Sequence, residues 1–458
     1  MAREKTQYLC KECGHTEPKW LGRCPSCDSW NSFTEFKPAK GKASALSGAP
    51  ISEPPRVQTL SQVKEPETVR IDSGFPELNR LLGSGIMSGS SVLIGGEPGI
   101  GKSTLLLQLT DRVKTEGSVL YVSGEESAEQ IKQRGRRLKI DLDRPMVLTT
   151  ARLEEILPAL NEHKPSLIII DSIQTLMTDG AGEVPGTVSQ LKLCCYELIK
   201  AAKELGAVLF LVAHVTKEGA IAGPKAIEHL VDTVLYFEES GSDLRMLRAQ
   251  KNRFGATDEL GLFRMGGNGL EEVRDTSGLF LVHREGAPPA GTATATLYEG
   301  SRILLVEIQA LTVPAKGSLS RIYSDRLDQN RVSRIAAILE KHGGLKFSDH
   351  DIYINVARGL RITETGADLP LALALFSART GLALPGDLLA LGELTLAGEI
   401  QPVSHREKRI KAAADTGYGT MVLPRRKDDD KGPEGMKLLR LESVRDFGTL
   451  PWIKVQQD

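Results

Sequence analysis

The sequence lacks any hydrophobic run of the roughly 18–20 residues that a membrane-spanning helix requires. Its first residues, MAREKTQYLC, contain no apolar segment of the secretory type, so we expect a cytoplasmic protein. No fixed-period repeat is present. Neither sign of charge dominates, because 58 Lys and Arg face 59 Asp and Glu for a net charge of −1. The total charge therefore predicts no polyanionic partner, although a local basic surface is invisible to such a sum.

The composition is that of an ordinary soluble globular protein, with 40% hydrophobic and 26% charged residues in 458 positions. It excludes a mostly disordered chain and a fibrous one. A chain of this length has about three domains at roughly 150 residues each. We divide it into a cysteine module (1–35), a flexible linker rich in Pro, Ser, Ala and Gly (36–60), and two larger domains (61–275 and 286–458).

Both larger domains alternate short apolar runs with helical patterns. In the first, VLIGG, VLYVSG, SLIIIDS and AVLFLVAH have the continuous apolar character of strands buried on both faces. In the second, YINVARGL, LLALGELTL and GTMVLP are predicted strands, and DLPLALALFSARTG and HREKRIKAAADTG are predicted helices. The pattern predicts an α/β protein whose first domain is a doubly wound, mostly parallel sheet.

Four of the six cysteines form two CxxC pairs near the N-terminus. They are Cys10, Cys13, Cys24 and Cys27. Four thiolates at this spacing are typical of a closed, structural Zn²⁺ site, and two unrelated or redox-active pairs are the alternative. Lys19, Trp20 and Arg23 lie between the pairs and fit either a nucleic-acid contact or a solvated face. Cys194 and Cys195 belong to an apolar helical pattern and are expected in the core.

The phosphate-binding motif GxxxxGK[ST] follows the predicted strand VLIGG and opens a helical pattern, as such a loop requires. The predicted ATP-binding residues in and just after it are Gly96, Glu97, Pro98, Gly99, Ile100, Gly101, Lys102, Ser103 and Thr104. Lys102 is expected to reach the β- and γ-phosphates, and Ser103 to ligate Mg²⁺.

Acidic residues follow two further strands. Asp171 ends the run LIIID and is expected to face the Mg²⁺, with helix capping as the alternative role. Glu125 follows VLYVSG, where a carboxylate can orient and deprotonate the attacking water. Glu126 competes with Glu125 for this role.

Taken in order, the motifs resemble those of the bacterial RadA (Sms) family of DNA recombination and repair proteins. They are the four-cysteine knuckle, GGEPGIGKST, SGEES, LIIIDSIQT, HVTKEGAIAGPKAIEH and KNRFG. The resemblance covers essentially the whole chain. It implies a RecA-like ATPase core, an N-terminal zinc module and a C-terminal domain similar to the proteolytic domain of Lon.

The resemblance also implies roles for several residues. Glu125 corresponds to the catalytic glutamate of the DnaB helicases, whose matching segment is similar. Lys251 and Arg253 correspond to the basic pair that DnaB-like hexamers project into the neighbouring ATP site, where exposed surface cations are the plain alternative. His214 corresponds to a γ-phosphate sensor, and Gln174 is a weaker candidate for the same role.

Two glycine-containing loops, 178–188 and 215–226, correspond to loops that line the channel of RecA-type rings and hold single-stranded DNA. Lys217 and Lys225 are the cations of the second loop. Neither loop contains an aromatic residue, which favours phosphate contact over base stacking. Two loops without a ligand are the alternative.

The C-terminal domain departs from Lon at the residues that carry peptidase chemistry. Glu407 stands where Lon has its lysine, with Lys408 beside it, and no serine is present in the turn 366–368. We therefore expect no peptidase activity. A basic cluster, either a DNA contact or a solvated helix face, consists of His405, Arg406, Lys408, Arg409 and Lys411.

Together these expectations describe a DNA-dependent ATPase that acts as a ring-shaped motor on single-stranded or branched DNA and promotes branch migration. Zn²⁺, Mg²⁺ and ATP are the expected cofactors. A homo-oligomer, such as a hexameric ring, is expected, and the resemblance implies the recombinase RecA as a partner. A KaiC-like ATPase or kinase switch on protein partners is the alternative function, and an ATP-dependent protease is a third.

Overall fold

The computed structural model describes most of the chain beyond residue 69 and part of the N-terminal module. The described residues are 7–10, 15–25, 28, 30–36, 59, 61, 70–181, 185–214, 222–240, 243–257, 259–276, 278–317, 320–425 and 432–454. The chain divides into two compact units, Met1–Glu239 with Asp243–Glu272 and Ser240–Ser242 with Val273–Asp458. No helix in the described ranges has the length and apolarity that a bilayer crossing needs.

The N-terminal module contains a small antiparallel sheet with the strand order β2-β1-β3. Its strands are β1 (Gln7–Cys10), β2 (Thr16–Glu17) and β3 (Phe33–Phe36). Cys10, Cys24 and Phe33 form its buried cluster, with Tyr8 packed against them. So small a core supplies little folding energy, which is typical of modules that a metal stabilises.

The rest of the first unit is built on a nine-stranded sheet with the order β14-β13-β12-β11-β6-β10-β9-β7-β8. Its strands are β6 (Ser91–Gly96), β7 (Val119–Ser123), β8 (Pro145–Thr149), β9 (Leu167–Asp171), β10 (Val208–His214), β11 (Thr233–Ser240), β12 (Leu244–Asn252), β13 (Leu260–Gly266) and β14 (Gly269–Glu272). A separate two-stranded ribbon pairs β4 (Arg70–Ile71) with β5 (Ile86–Met87). The run from β11 through β8 is parallel, and β12, β13 and β14 form antiparallel ladders.

Helices cover both faces of this sheet, which is why its central strands β6, β7 and β9 are buried at every position. They are α1 (Pro76–Leu81), α2 (Lys102–Arg112), α3 (Ala128–Leu138), α4 (Leu153–His163), α5 (Val188–Leu205) and α6 (Ala222–Ile227). Successive residues of β9 alternate between two cores: Leu167 and Ile169 pack with α2, while Ile168 and Ile170 pack with α4 and α5. The predicted α/β, RecA-like fold class is confirmed.

The two adjacent cysteines of α5 confirm the expectation that they are core residues. Cys194 and Cys195 are both fully buried in the cluster beneath α4 and α5. Burial raises the pKa of each thiol to about 12. Both side chains therefore remain protonated near neutral pH and contribute packing rather than reactivity.

The second unit contains a seven-stranded mixed sheet with the order β17-β18-β16-β15-β19-β22-β23. Its strands are β15 (Thr292–Glu299), β16 (Arg302–Pro314), β17 (Ile322–Ser324), β18 (His350–Val356), β19 (Leu388–Ala390), β22 (Thr420–Pro424) and β23 (Lys437–Leu441), beside the ribbon of β20 (Glu393–Leu394) and β21 (Ile400–Gln401). Its helices are α7 (Gln329–Gly343), α8 (Asp368–Thr380), α9 (Arg406–Asp415) and α10 (Pro451–Lys454). This is the predicted C-terminal α/β domain of the Lon type.

The helix α9 carries the basic cluster, and it buries part of it. Arg406, Arg409, Ile410 and Ala413 are its buried residues, spaced as one face of a helix. Lys408, by contrast, is exposed. The basic side chains of this segment are therefore divided between the interior of the unit and its surface.

Arg409 is fully buried, and its side chain is held entirely inside the second unit. Its Nη1 donates to the Thr296 carbonyl at 2.6 Å, its Nε donates to the Ser404 carbonyl at 3.0 Å, and Nη2 forms an ion pair with Glu364. The expectation that Arg409 contacts DNA is therefore wrong, because its guanidinium is enclosed by its own domain. Arg406, with 8% of its surface exposed, is likewise poorly placed for such a contact.

We predict that Arg409→Ala lowers the free energy of unfolding of the second unit by about 3–5 kcal/mol, because it leaves the Glu364 carboxylate without its partner. Lys408→Ala, one residue away on the exposed face, should change it by less than about 0.5 kcal/mol. Calorimetric melting of the two full-length variants measures the difference. Equal melting temperatures for both variants would contradict this assignment.

Candidate nucleotide site

The phosphate-binding loop leaves the buried strand β6 and enters α2. Gly99 and Gly101 have φ angles of 79° and 120°, in the region that residues with a Cβ rarely adopt. Gly101 caps the N-terminus of α2, whose first residue is Lys102. The loop glycines of the motif are therefore required by backbone conformation, and the loop ends at the positive end of a helix dipole.

The Lys102 side chain lies inside this loop with only 3% of its surface exposed. Its Nζ donates to the carbonyls of Gly96 and Glu97 at 2.8 and 2.9 Å, and lies 3.1 Å from His214 Nδ1. Burial lowers the pKa of Lys102 to about 8, although the charges of Asp171 and Glu125 act in the opposite direction. Its ammonium is therefore poised between the protonated and neutral forms at mildly alkaline pH.

Asp171 ends β9, two strands from β6, and its carboxylate is buried. The hydroxyl of Tyr121, on the neighbouring strand β7, donates to Asp171 Oδ2. Burial and the adjacent Asp171 charge raise the pKa of Tyr121 well above its ordinary value, so the phenol remains a donor. Tyr121 is not predicted from the sequence, where its only signal is a hydroxyl in the otherwise apolar run VLYV.

The structure separates the two competing glutamates after β7. Glu125 Oε1 accepts a 2.6 Å hydrogen bond from the Ser172 hydroxyl and lies 3.5 Å from His214 Nε2. Glu126 instead forms an ion pair with Arg134 on α3. Glu125 is therefore the carboxylate that joins the group of Lys102, Asp171 and His214. The contact made by Ser172 was not anticipated from the sequence.

His214 ends β10 and connects the groups on either side of it. Its backbone pairs with Gly96 at the end of β6, and its carbonyl accepts a 3.0 Å hydrogen bond from Gln174 Nε2. Burial, followed by the neighbouring Lys102 charge, lowers the pKa of His214 below its ordinary 6.5. The imidazole is therefore neutral near pH 7 and can donate its ring N–H to a phosphate oxygen.

The predicted basic pair lies at the other end of the sheet. Arg253 Nη1 is 3.2 Å from Asp232 Oδ1, and Asp232 Oδ2 accepts hydrogen bonds from the amide and hydroxyl of Ser91. Ser91 begins β6 and Gly96 ends it, so about 17 Å of strand separates Arg253's anchor from the phosphate loop of its own chain. The structure therefore does not bring Arg253 together with Lys102.

Lys251 is held close to Arg253. Its Nζ donates to the carbonyls of Glu228, His229 and Val231 at 3.0, 3.3 and 2.7 Å. Burial, with the nearby Arg253 charge, lowers the pKa of Lys251. More than half of the Arg253 side chain remains exposed, so this end of the sheet presents a cation at the surface.

Some predicted ligand residues lie outside the described part of the chain. These are Cys13 and Cys27 of the zinc set and Lys217 of the second loop. Of the other cysteines in the set, Cys10 and Cys24 are both buried in the N-terminal module. Lys225 lies on α6 and is exposed. The structure thus places two of the four predicted metal ligands and one of the two loop cations.

Three family models match the chain. One described as an AAA domain matches residues 56–220, one described as a rubredoxin metal binding domain matches residues 8–35, and one described as subunit ChlI of Mg-chelatase matches residues 325–427. They cover the phosphate loop, the cysteine module and the central part of the second unit respectively.

Curated relatives match nearly the full length of the chain. The DNA repair protein RadA of Treponema pallidum is 49% identical over 427 residues, 93% of each chain. That of Pseudomonas aeruginosa is 42% identical over 450 residues, covering 97% of this chain and 99% of the relative. That of Bacillus subtilis is 41% identical over 450 residues, covering 97% and 98%.

We predict that ATP affinity falls as the pH rises above about 8, because a triphosphate requires the protonated form of Lys102. Well above that pH, binding must take up a proton, so the Kd should rise by about tenfold per pH unit. Titrating the chain with ATP between pH 7 and 9.5 measures this. Lys102→Arg keeps its charge throughout and should show a nearly flat profile; parallel profiles for the two proteins would refute the role of Lys102.

Proposed function

The chain belongs to the family of the DNA repair protein RadA, and from this premise we propose that it is a DNA-dependent ATPase that moves on single-stranded or branched DNA as a ring and promotes branch migration in recombination. The observation that carries the proposal is the group at the carboxyl edge of the parallel sheet. There Lys102, Asp171, Glu125 and His214 come from four different strand ends and share contacts.

In this proposal the loop and Lys102 bind the triphosphate. The ammonium exchanges its bonds to two loop carbonyls for bonds to phosphate oxygens, whose negative charge keeps it protonated. The N-terminus of α2 adds a favourable dipole. The match to the AAA domain model over the loop supports this assignment.

Glu125 orients and deprotonates the attacking water. The Ser172 hydroxyl and the His214 ring hold its carboxylate on the side of the sheet from which the phosphate loop projects. His214 lies 3.1 Å from the Lys102 ammonium through one ring nitrogen and 3.5 Å from Glu125 through the other. A ligand that moves Lys102 therefore also changes the surroundings of Glu125, as a sensor of the γ-phosphate must do.

The metal sites follow from the donor sets. Ser103 and Asp171 supply a hydroxyl and a carboxylate, the hard oxygen donors that Mg²⁺ prefers. Asp171 is buried near Lys102, and its carboxylate accepts a hydrogen bond from the Tyr121 hydroxyl. This hydrogen bond orients the carboxylate. A bound Mg²⁺ would neutralise phosphate charge in this place.

The cysteine module fits a structural zinc ion. Cys10 and Cys24 are the most buried described residues of a module whose cluster contains one phenylalanine besides them. With Cys13 and Cys27 they would complete a four-thiolate set. Zinc would supply folding energy to the module rather than chemistry.

Arg253 and Lys251 act on the ATP of the neighbouring subunit. The distance from Ser91 to Gly96 along β6 keeps them from their own phosphate loop, whereas the exposed Arg253 guanidinium is available to a second copy. A homo-oligomeric, hexameric ring meets this requirement, because each subunit both supplies and receives the pair.

DNA contacts in this ring involve lysine side chains. We assign them to Lys225 and Lys408, which are exposed, and to Lys217, which lies outside the described residues, and no longer to the buried Arg406 and Arg409. Phosphate contact by lysine gives binding without base specificity, as a motor needs.

The proposal also includes RecA, which the family resemblance implies as a partner, and a cytoplasmic location near DNA. A KaiC-like switch on proteins is not favoured, since the relatives that match the full chain are described as DNA repair proteins.

Turnover of ATP in the presence and absence of single-stranded DNA tests the function directly. We expect Mg²⁺-dependent hydrolysis that DNA stimulates several-fold, and no hydrolysis in Lys102→Ala, because the γ-phosphate loses its main cation. Lys225→Ala should keep the basal rate and lose part of the stimulation. A wild-type rate that DNA leaves unchanged would favour the protein switch over the DNA motor.

Mixing two inactive variants tests the action in trans. Arg253→Ala should bind ATP normally yet hydrolyse it slowly, by a factor of up to about 10³. In a mixed ring its intact phosphate loop can receive the arginine of a Lys102→Ala neighbour, so part of the activity should return. If mixed rings form and no ratio restores hydrolysis, Arg253 acts within its own chain, on DNA or on the structure.

A further inference from the structure

An arginine of β12 contacts the phosphate loop of its own chain. Arg245 Nε donates to the Ile100 carbonyl at 3.2 Å, in the middle of the GEPGIGKS motif. Arg245 Nη1 lies 3.0 Å from Glu239 Oε1 on β11. The guanidinium thus bridges the loop and the neighbouring strand, although Arg245 is 145 residues from Ile100 in sequence.

The side chain is fixed at both ends of this bridge. Only 11% of its surface is exposed, and Nη1 also donates to the Leu244 carbonyl at 3.2 Å. Ile100 is itself buried against the sheet. A hydrogen bond from a charged, largely buried donor is stronger than an exposed one, because water competes with it less.

The orientation of the Ile100 carbonyl determines the orientation of the next amide. The carbonyl of Ile100 and the N–H of Gly101 belong to one planar trans peptide, and they point in opposite directions. Arg245 attracts the carbonyl toward β12, so the N–H points to the other side of the loop. The backbone N–H groups of such a loop are the donors that cradle phosphate oxygens.

We propose that Arg245 is a positioning residue for nucleotide binding, which holds the Ile100–Gly101 peptide with its N–H directed to the phosphates before ATP arrives. This inference rests on the proposed ATPase function and adds a residue that no part of the motif contains. Gly99 and Gly101, on either side of Ile100, restrict the backbone less than residues with a Cβ would, so an anchor outside the loop adds to the order of this peptide. Pre-orientation of the donor lowers the cost of ordering the loop when nucleotide binds.

The test compares Arg245→Ala with Arg248→Ala, a matched variant on the same strand whose ion-pair partner is Glu238 on β11. We expect Arg245→Ala to raise the Kd for ATP by about tenfold or more, the loss of one charge-assisted hydrogen bond. Arg248→Ala should retain the wild-type Kd. Both variants should remain folded at the assay temperature without nucleotide, and the increase in melting temperature caused by saturating ATP should be smaller in Arg245→Ala.

Arg245→Lys separates positioning from a general structural role. An ammonium can donate to the Ile100 carbonyl but cannot bridge it to Glu239 as a planar guanidinium does, so we expect a Kd between those of wild type and Arg245→Ala. If Arg245→Ala fails to fold, this variant decides the matter: weaker ATP binding at an unchanged nucleotide-free melting temperature supports positioning.

Two results would overturn the inference. One is a wild-type Kd for ATP in Arg245→Ala, or in Arg245→Lys where only that variant folds. The other is a fall in the nucleotide-free melting temperature of Arg245→Ala that is large enough to explain its whole loss of ATP binding and that Arg245→Lys does not reverse. ATP binding by the wild type and by Lys102→Ala, measured in the same experiment, distinguishes failure of the proposed function from failure of the Arg245 inference. If ATP binds neither of them, or both alike, the proposed function fails; if only the Arg245 variants behave unexpectedly, this inference alone fails.

Discussion

The parallel pairing of β6 with β10, and of β9 with β10 and β7, is the constraint on which the candidate site depends. Strands that run in the same direction end at the same edge, so four loops that are far apart in sequence meet there. The pairing of His214 with Gly96 and of Ser123 with Asp171 sets how closely they meet. The buried ammonium of Lys102 is tolerated only because this edge surrounds it with carbonyls and carboxylates.

The same sheet keeps two charged groups apart at its opposite edges. Its carboxyl edge gathers the group around Lys102, while its amino edge anchors Arg253 through Asp232 and the first residue of β6. The strand β12 extends between these edges, with Arg245 near its start and Lys251 near its end. In the proposed ring, one strand therefore carries both a residue that serves its own nucleotide and residues that serve the neighbour's.

The second unit shows why a count of charges is a weak guide to a binding surface. The segment from His405 to Lys411 contains five basic residues, but α9 directs Arg406 and Arg409 inward and Lys408 outward. Arg409 then becomes a core residue, because Glu364 and backbone carbonyls replace the water it would otherwise bind. Helical periodicity contained this information, since the two buried arginines are three positions apart and therefore lie on one face of the helix.

Local rules were sufficient for the four strands β6, β7, β9 and β10 of the first unit, for the phosphate loop and for its helix, because apolar runs and glycine-dependent turns are properties of short segments. The same holds for Asp171 and His214, which follow recognisable strands. Only the tertiary structure placed Glu125, rather than Glu126, beside Ser172 and His214, since the neighbours of the two glutamates lie on different elements. The tertiary structure alone also revealed the hydrogen bonds from Tyr121 to Asp171 and from Arg245 to the Ile100 carbonyl. It revealed the ion pair between Glu364 and Arg409 in the same way. These partners are distant in sequence, and a contact between distant residues is determined by how the elements pack rather than by any local pattern.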